Sequence, residues 1–392
     1  MKKLLIAGGS HADNPMVLAA KGLGYHVTTS GNRTDDLAHR HSDAFVPCDY
    51  SVPDEVLGVA RQIGADAICA SCNDFSALSS AYAAKELGLP GHDIPEVAEV
   101  IHHKDKWRVF AQEEGIGGPA AVGCGNLKEV KMAVERLRAP FMVKPVDLTG
   151  GKGIQRVESE QEALRAAEAA FSISKAKRIV VEEFITGTRH GFTCMLRSGK
   201  VVFHFVDDEI YHLSPYLVSA ASSSSSCPEA AVENLIVQSE KIAGSLRLVD
   251  GIFHVQFILQ PSGEPVIIEI CRRGPGDLYV ELVRHAAGVP YAEWIVRAAC
   301  GLALGEISEM PVRRSVTRHC LMADRPGFFE GFDFDSAVEQ RIIDKMVWAR
   351  EGERVVDPAT HKFGIVFVDH GNPERAREEG PILQKLLRAK IR

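Results

Sequence analysis

The residues best suited to chemistry in this sequence surround a short glycine-rich loop. Lys144 ends an apolar stretch, and residues 149–153 then read Thr-Gly-Gly-Lys-Gly. Glycine lets backbone N–H groups approach phosphate oxygens closely, and a nearby lysine neutralises their charge. The loop lacks the GxxxxGKS/T spacing of a P-loop. By itself it therefore fits a phosphate-binding loop and an ordinary surface turn equally well.

A second candidate site lies on two apolar stretches that a turn joins. Gln256 is on the first stretch, Glu269 is on the second, and Arg273 follows it. Carboxylate and amide oxygens suit Mg²⁺, and an arginine can hold a carboxylate or a phosphate through paired hydrogen bonds. Glu269 stands among isoleucines and needs a partner if it is buried. A metal ion or an ion pair with Arg273 would provide one, and the pattern favours the metal site.

Two further features have a functional and a structural interpretation. His254 precedes Gln256 by two positions, so the two side chains share one face of a strand. His254 either lines the same cleft or is packed in the sheet. Residues 180–185 form an apolar strand that ends in two glutamates and two apolar residues. Its backbone edge could read an adenine ring, but the pattern by itself favours a half-buried strand with solvated acids.

The N-terminal part of the sequence alternates between predicted strands and predicted helices, and it forms the first domain of an expected multidomain fold. We predict strands over residues 4–7, 25–29 and 66–70, and helices over residues 15–23, 54–63 and 75–87. Short apolar strands that alternate with helices indicate a parallel, doubly wound α/β sheet. The Gly8-Gly9-Ser10 turn has no third glycine, and strand two has no terminal acid, so a dinucleotide site is not expected. The turn could still face a substrate.

The remainder of the chain has a different order of predicted strands and helices, which is typical of an α+β fold. We predict a charged helix over residues 100–114, and then a series of strands and helices that includes a hairpin over residues 191–206. Residues after about 311 are strand-rich, with a closing helix over residues 381–391. The five serines of residues 222–226 predict a flexible loop near the site. The expected domains are residues 1–100, 101–310 and 311–392.

Composition narrows the class of protein. A chain of 392 residues is expected to hold two or three domains, and 45% hydrophobic with 25% charged residues is typical of globular enzymes. A net charge of -7 argues against broad binding to nucleic acid or anionic membranes. No apolar run is long enough for a bilayer, and the start of the chain does not resemble a signal peptide. Nine scattered cysteines fit reduced thiols, so a cytoplasmic protein is expected.

Taken in order, these features resemble the ATP-grasp superfamily over roughly residues 1–310. Lys104 stands eleven residues before Gly115, Lys144 precedes the glycine loop, and Glu182-Glu183-Phe184-Ile185 is followed by Glu269-Ile270-Cys271-Arg272-Arg273. Runs in the first domain, such as Glu86-Leu87-Gly88-Leu89-Pro90-Gly91, also match. Each motif is loose, but the ordered set is specific. The resemblance implies an N-terminal pre-ATP-grasp domain, the ATP-grasp fold, and a small C-terminal region.

The resemblance also implies roles for individual residues with ATP and Mg²⁺ as cofactors. Lys104 and Lys144 would contact the ATP phosphates and the adenine edge, under a mobile flap. Gln256 and Glu269 would hold Mg²⁺, and Arg273 would steady the acyl phosphate or the transferring phosphoryl group. The flap would consist of Gly150, Gly151 and Gly153, and the adenine hinge of Glu182, Glu183, Phe184 and Ile185.

Three positions depart from the family pattern. Gln256 stands where many members have an acid, and Cys271 stands where most have asparagine, which predicts weaker Mg²⁺ binding. Arg189 replaces the usual ribose glutamate. His190 could take over the ribose contact, as in the biotin carboxylase branch, or could be a core or surface histidine.

Within the superfamily, residues 251–256 and 269–277 look most like ligases that join amino acids or related acids to amines. Arg273, Gly276, Asp277 and His254 would then contact the substrate. A polar cluster before the serine run could select a cationic or hydroxylated acceptor, or could be a surface loop; it comprises Asp207, Asp208, Glu209, Tyr211, His212 and Tyr216.

The expected reaction forms an amide through an acyl phosphate, with release of ADP and phosphate. A small-molecule carboxylate and an amine would be the substrates, and relatives often form homodimers. Two alternatives remain open. One is a carboxylating or formyl-activating enzyme like biotin carboxylase or the purine-biosynthesis members, and the other is a catalytically weakened ATP-binding protein.

Overall fold

The first part of the chain forms a parallel sheet of four strands with helices packed against it. The computed structural model describes residues 1–307 and 311–392. The strand order is β3-β2-β1-β4, with every pair parallel. The elements are β1 (Lys3–Ala7), α1 (Asn14–Gly22), β2 (His26–Gly31), β3 (Ala44–Pro47), α2 (Pro53–Ile63), β4 (Ala67–Ala70) and α3 (Asp74–Leu87). The predicted strands and helices are confirmed, and β3 is an additional edge strand.

Two helices, and not one, connect this sheet to the rest of the chain. They are α4 (Pro95–His102) and α5 (Lys104–Glu113). The prediction of one helix over residues 100–114 is wrong because His103 adopts an extended conformation, with φ -108° and ψ 116°. The break frees the N–H of Lys104, which donates to the carbonyl of Val146 at 3.1 Å. This contact ties the start of α5 to the segment before the glycine loop.

A small antiparallel sheet follows, with two helices packed against it. Its order is β5-β8-β6-β7. Alanines of α7 at positions 163, 166, 167 and 170 pack against Val143 and Val181, because their spacing places them on one helical face. The elements are β5 (Ala121–Cys124), α6 (Leu127–Arg136), β6 (Phe141–Pro145), β7 (Gln155–Val157), α7 (Glu160–Ile173) and β8 (Ile179–Glu183).

A larger antiparallel sheet begins with the next strands. β12 and β13 pair so that Gln256 lies opposite Glu269, as the predicted strand pair requires. Helix α8 packs on one face of this sheet, and α9 and α10 contribute to the core on the other. The elements are β9 (Thr188–Arg197), β10 (Lys200–Ile210), β11 (Ala220–Ser222), α8 (Glu229–Leu246), β12 (Gly251–Leu259), β13 (Pro265–Cys271), α9 (Tyr279–Ala287) and α10 (Tyr291–Ala299).

The C-terminal strands extend this larger sheet. Its full order is β13-β12-β9-β10-β11-β14-β18-β16, and a three-stranded sheet with order β17-β15-β19 lies beside it. The C-terminal region therefore reaches the site through strands of a shared sheet. The elements are β14 (Val316–Met322), β15 (Gly327–Phe334), α11 (Ser336–Glu339), β16 (Ile342–Val347), β17 (Arg354–Val355), β18 (Lys362–Asp369), α12 (Pro373–Glu379), α13 (Leu383–Leu386) and β19 (Leu387–Ile391).

The five-serine segment is not the predicted flexible loop. Ser222 ends β11 and pairs with Thr317 of β14, and the next two serines are also buried. The hydroxyl of Ser223 donates to the carbonyl of Arg314 at 2.9 Å. Small hydroxylated side chains fit here because they satisfy buried backbone groups at a strand end. The segment is a structural connection between β11 and α8.

The predicted closing helix over residues 381–391 is also wrong. Only Leu383–Leu386 is helical, and Leu387–Ile391 is a strand that pairs with β15. Leu387 and Ile391 are buried, whereas the side chains of Arg388 and Lys390 are exposed. Pairing with β15 supplies backbone hydrogen bonds that a sequence pattern of five residues cannot reveal.

Among residues 1–307 and 311–392, none of the helices has the length and apolar character needed to cross a lipid bilayer.

Truncation of Leu387 tests the closing strand. Leu387→Ala should lower the free energy of unfolding by about 2–5 kcal/mol, because it leaves a cavity beneath β15. Lys390→Ala should change it by less than about 0.5 kcal/mol, because Lys390 points outward in a strand. Urea denaturation of both variants makes the comparison. A large loss for Lys390→Ala would instead favour a helix, in which positions 387 and 390 share a face.

Candidate functional site

A cleft of about 320 Å³ lies between the small sheet and the larger sheet. Walls from both sheets, from the loops after β6 and β13, and from α5 converge on it. The structure thus brings most of the predicted site residues together in one place. Those lining it are Lys104, Lys144, Gly150, Gly151, Glu182, Glu183, Phe184, Ile185, His254, Gln256, Glu269, Arg273, Gly276 and Asp277.

One buried carboxylate organises the cationic side of the cleft. Glu182 is 1% exposed and accepts hydrogen bonds from Lys144 Nζ at 2.6 Å and from Arg108 Nε at 2.8 Å. Burial alone would raise the pKa of Glu182, but the charges of Arg108 and Lys144 outweigh it and hold the pKa at about 2. Two cations share a single carboxylate, so one positive charge is left over at the wall of the cleft.

Burial has the opposite consequence for Lys144. It lowers the pKa of the ammonium group, and the Glu182 charge offsets this only in part because Arg108 competes for the same carboxylate. An anionic ligand placed beside Lys144 would restore the balance.

The end of strand β8, which was predicted to form an adenine hinge, lies at the cleft. Phe184 N–H donates to the carbonyl of Pro140 at 2.9 Å, and Ile185 follows at the cleft. The Glu182 side chain points into its ion pairs, and Glu183 pairs with Arg138 at 3.3 Å. Any contact with a base would therefore come from the backbone. Apolar side chains line the surrounding wall, namely Met142, Ile154, Ile258, Ile268 and Ile270.

The glycine loop adopts a conformation that favours glycine. Gly150, Gly151 and Gly153 have φ values of 67°, 72° and 71°. A Cβ on Gly151 would lie 2.5 Å from the carbonyl oxygen of Tyr216, so the loop packs tightly against the segment after β10. Gly153 lies behind the cleft, against Pro145 and Ile173. Backbone N–H groups in such a loop can face an anion.

Oxygen donors gather on the opposite wall. Glu269 lies 3.4 Å from Lys104 Nζ, which also donates to the carbonyl of Leu148 at 3.0 Å. Gln256 donates through Nε2 to Glu209 Oε1 at 2.6 Å. The carboxylate of Glu209 therefore lies beside the amide of Gln256, at the position where the family pattern has an acid. The expected loss of negative charge at Gln256 is partly offset by a residue from another strand.

Arg273 does not pair with Glu269. Its Nε donates to Asp74 Oδ1 at 2.7 Å, and His102 Nδ1 lies 3.0 Å from the same oxygen. Burial alone would raise the pKa of Asp74, but Arg273 and His102 outweigh it and hold the pKa far below its ordinary value. The ion pair connects the loop after β13 to the start of α3, and so fixes the N-terminal sheet against the cleft.

A second ion-pair group holds Asp277. Lys362 Nζ donates to Asp277 Oδ2 at 2.6 Å, Arg318 lies 3.7 Å from that oxygen, and His11 Nε2 lies 3.4 Å from Oδ1. Burial would raise the pKa of Asp277, but Lys362 and its neighbours outweigh it and hold the pKa well below its ordinary range. Strands from the C-terminal region thus support the loop that carries Arg273.

His190 is not placed for the predicted ribose contact. It is 1% exposed and does not line the cleft. Its Nδ1 lies 2.8 Å from Asp208 Oδ1, and its Nε2 lies 2.7 Å from Thr188 Oγ1. The ring also stacks on Phe257. These contacts make His190 a core histidine, which the sequence alone could not distinguish from a ligand.

His254 does line the cleft, beside the ring of Tyr279 at a centroid distance of 5.2 Å. Burial, with a smaller effect of Arg273, lowers the pKa of His254 to about 3. The imidazole is therefore neutral at physiological pH.

The polar cluster that follows residue 206 lies partly at the cleft. Asp208 and His212 do not line it, and the other four members do, namely Asp207, Glu209, Tyr211 and Tyr216.

The sequence analysis did not assign four further cleft residues to the site: Arg189, Tyr279, Arg318 and Lys362. For Arg318 the available signal was an arginine within the apolar strand β14, because a lone buried charge is costly.

The shared carboxylate predicts a pH-dependent stability. At pH 7, Glu182→Gln should lower the free energy of unfolding by about 3–5 kcal/mol, because Lys144 and Arg108 lose their buried counter-charge. Since the pKa of Glu182 in the folded protein lies below its ordinary value of 4.5, the stabilisation is present above that value and is lost as the pH falls toward 2. Thermal unfolding from pH 7 to pH 2 measures the difference.

Glu183→Gln is the matched control for this prediction, because Glu183 pairs with an arginine that is 88% exposed. Its effect should not exceed about 1 kcal/mol. If the difference in stability between wild type and Glu182→Gln were constant over the whole pH range, this would contradict the role of Glu182 as the ionised partner of Lys144 and Arg108.

Comparison with known proteins supports the fold. Residues 103–209 match the phosphoribosylglycinamide synthetase ATP-grasp (A) domain. The chain is 24% identical over 226 residues to the C-terminal section of the carbamoyl phosphate synthase large chain of Methanopyrus kandleri, which covers 54% of this chain and 40% of that protein. It is 22% identical over 298 residues to the alanine–anticapsin ligase of Bacillus subtilis, which covers 71% of this chain and 62% of the ligase.

This chain thus spans less than two thirds of the length of these curated relatives. A solved structure matches over the full length: the L-amino acid ligase from Bacillus licheniformis has a TM-score of 0.83 at 21% identity, covering 100% of this chain and 99% of that chain. Residues 103–209 therefore match an ATP-grasp domain, and the overall fold of the chain is that of the L-amino acid ligase structure.

Proposed function

We propose that this protein is an ATP-dependent carboxylate–amine ligase. ATP would phosphorylate a small-molecule carboxylate, and an amine would attack the acyl phosphate to give an amide, ADP and phosphate. The observation that carries the proposal is the meeting of Lys104, Lys144, the glycine loop and the Gln256–Glu269 pair in one cleft. Phosphoryl transfer depends mainly on positioning and on charge neutralisation, and this cleft supplies both.

The nucleotide would lie with its base between the β8 strand end and the apolar wall. The backbone at Ile185 would read the edge of the adenine, and Met142 and Ile258 would cover its faces. The phosphates would lie beneath the glycine loop, beside Lys144 with its incompletely neutralised charge. Lys104 would move from Glu269 toward a phosphate oxygen once a cation neutralises that carboxylate.

The oxygen donors fit Mg²⁺. Glu269 offers a carboxylate, Gln256 offers an amide oxygen, and Glu209 adds a second carboxylate through its contact with Gln256. Mg²⁺ prefers hard oxygen ligands together with substrate phosphates. When bound, the ion would supply charge neutralisation at the phosphates. Cys271 would not contribute, because Mg²⁺ prefers hard oxygen ligands to a soft sulfur ligand.

Arg273 would stabilise the negative charge of the acyl phosphate. Its Nε and NH1 bind Asp74 and the carbonyl of Gly274, so the guanidinium is held in a fixed orientation at the cleft. A preorganised cation stabilises developing charge more effectively than a mobile one. The glycine loop, packed on Tyr216, would exclude water that would otherwise hydrolyse the intermediate.

Two of the similar proteins are named as ligases and match most of this chain, which supports the proposal. An alanine–anticapsin ligase and an L-amino acid ligase match 71% and 100% of this chain, respectively. The match to a carbamoyl phosphate synthase section keeps a carboxyl-phosphate reaction as an alternative. Cys271, in place of an oxygen ligand, favours the second alternative, a weakened ATP-binding protein.

Release of ADP separates these functions. The purified protein would be assayed with Mg-ATP and pools of carboxylic acids and amines. Release that requires both an acid and an amine supports the ligase. Release that requires bicarbonate and no other acid supports the carboxylating enzyme, and nucleotide binding without turnover supports the weakened protein.

Removal of one negative charge tests the role of the oxygen donors. Glu269→Gln should lower acid- and amine-dependent ADP release by about 100-fold or more, because the metal and phosphates lose a charged ligand. Glu264 lies in the exposed turn of the same hairpin, so the variant Glu264→Gln should retain the wild-type rate. Circular dichroism checks that both variants are folded. Wild-type turnover in Glu269→Gln would refute the assignment of that residue.

Two glycine variants test the loop. Gly151→Ala should weaken binding of a non-hydrolysable ATP analogue by about tenfold, because its Cβ would clash with the Tyr216 carbonyl and displace the loop. Gly150→Ala shares the unfavourable positive φ but meets only Leu217 Cδ1 at 3.7 Å, so its effect should be smaller. Fluorescence titration gives both affinities. Equal affinities for the two variants would contradict a role for loop packing.

A further inference from the structure

The cleft is also lined by a buried acidic residue and a buried basic residue that do not contact each other. Asp207 on β10 and Arg318 on β14 are 1% and 2% exposed. Each affects the ionisation of the other through its charge, but no hydrogen bond or ion pair joins them. The nucleotide arrangement proposed above uses neither residue.

Asp207 lacks a cationic partner among the described residues. The Tyr279 hydroxyl donates a hydrogen bond to Asp207 Oδ1. The carboxylate packs against Gly191, where a Cβ would lie 2.4 Å from Oδ1, so its position is fixed from behind. Burial of this carboxylate without a cationic partner is costly. A positive ligand group beside it would remove this penalty.

Arg318 is similarly short of a counter-charge. Its Nε has no hydrogen-bond partner within residues 1–307 and 311–392, and its NH1 donates to Cys320 Sγ at 3.1 Å. The nearest carboxylate oxygen with which it pairs is Asp277 Oδ2 at 3.7 Å, and Lys362 already holds that oxygen at 2.6 Å. A buried guanidinium with its hydrogen bonds unfilled is costly unless a ligand supplies an anion.

We propose that this part of the cleft binds the amine acceptor as a zwitterion, with its ammonium group at Asp207 and its free carboxylate at Arg318. The inference rests on the proposed ligase function and names its acceptor class, α-amino acids. One ligand of this kind satisfies both buried charges at once, whereas a simple amine would leave Arg318 unpaired.

The coupling step must release two protons from the bound ammonium group. One proton leaves to solvent, and the freed nitrogen lone pair would form the C–N bond to the acyl carbon. The bond from that carbon to the phosphate oxygen breaks, and phosphate leaves with the electron pair. The second proton from nitrogen leaves with phosphate as the amide forms.

Hydroxylamine trapping separates acid activation from acceptor binding, because neutral hydroxylamine captures acyl phosphates as hydroxamates without an ammonium or carboxylate group. Asp207→Asn should retain hydroxamate formation with a pool of carboxylic acids. Its coupling to L-amino acids should fall by about 100-fold, the effect of losing a charged hydrogen bond. Asp208→Asn is the control: Asp208 faces His190 and Ser225 outside the cleft, so coupling should persist.

Arg318→Met tests the carboxylate end. Wild type should prefer L-amino acids over the corresponding amino acid amides as acceptors, and Arg318→Met should reduce this preference by about tenfold or more. A merely structural role would lower both rates without changing their ratio. Unchanged coupling in Asp207→Asn, loss of its hydroxamate signal, or an unchanged acceptor preference in Arg318→Met would overturn the inference.

A binding measurement distinguishes failure of this inference from failure of the ligase proposal. Calorimetric titration with L-amino acids, in the presence of a non-hydrolysable ATP analogue, should detect binding to wild type, weaker binding to Arg318→Met, and weaker binding of the amides. Binding with this pattern but without hydroxamate formation would refute the ligase chemistry alone. Hydroxamate formation without such binding would refute the zwitterionic acceptor alone.

Discussion

The central constraint on this structure is an excess of buried positive charge. Glu182 is shared by Lys144 and Arg108, so the wall beneath the glycine loop remains cationic even though every side chain there is paired. An uncompensated charge destabilises the folded protein when it is buried. Binding of a polyanionic ligand beside the charge would remove this destabilisation. A phosphate group is the ligand chemistry that this wall fits best.

Ion pairs between distant segments hold the opposite wall in register with this cationic one. Arg273 reaches Asp74 at the start of α3, and Lys362 of β18 reaches Asp277 in the loop after β13. The N-terminal sheet and the C-terminal strands therefore both position the loop that would contact the substrate. In the proposed function, these ion pairs keep the phosphate-binding end and the substrate-binding end of the cleft at a fixed separation. Transfer of a group between two bound ligands requires such a fixed separation.

Local sequence patterns predicted the elements whose information is local. Apolar strands such as Phe141–Pro145 and Ile179–Glu183 were located correctly, and the ordered motifs indicated the ATP-grasp fold. Features that depend on distant partners were missed: β19 is a strand because β15 pairs with it. Likewise, no local pattern shows that Arg108 reaches Glu182 or that Arg318 enters the cleft. Most of the predicted site residues that belong to a motif line the cleft, whereas His190, whose partners fold around it, does not.

The most direct test of the account is calorimetric titration of the wild-type protein and Lys144→Met with a non-hydrolysable Mg-ATP analogue. The account predicts binding at a single site in wild type and an affinity at least about tenfold weaker in the variant, because a buried charge-assisted contact to phosphate is lost. No binding to the folded wild-type protein, or equal affinity in both proteins, would contradict the claim that this cationic cleft holds a nucleoside triphosphate.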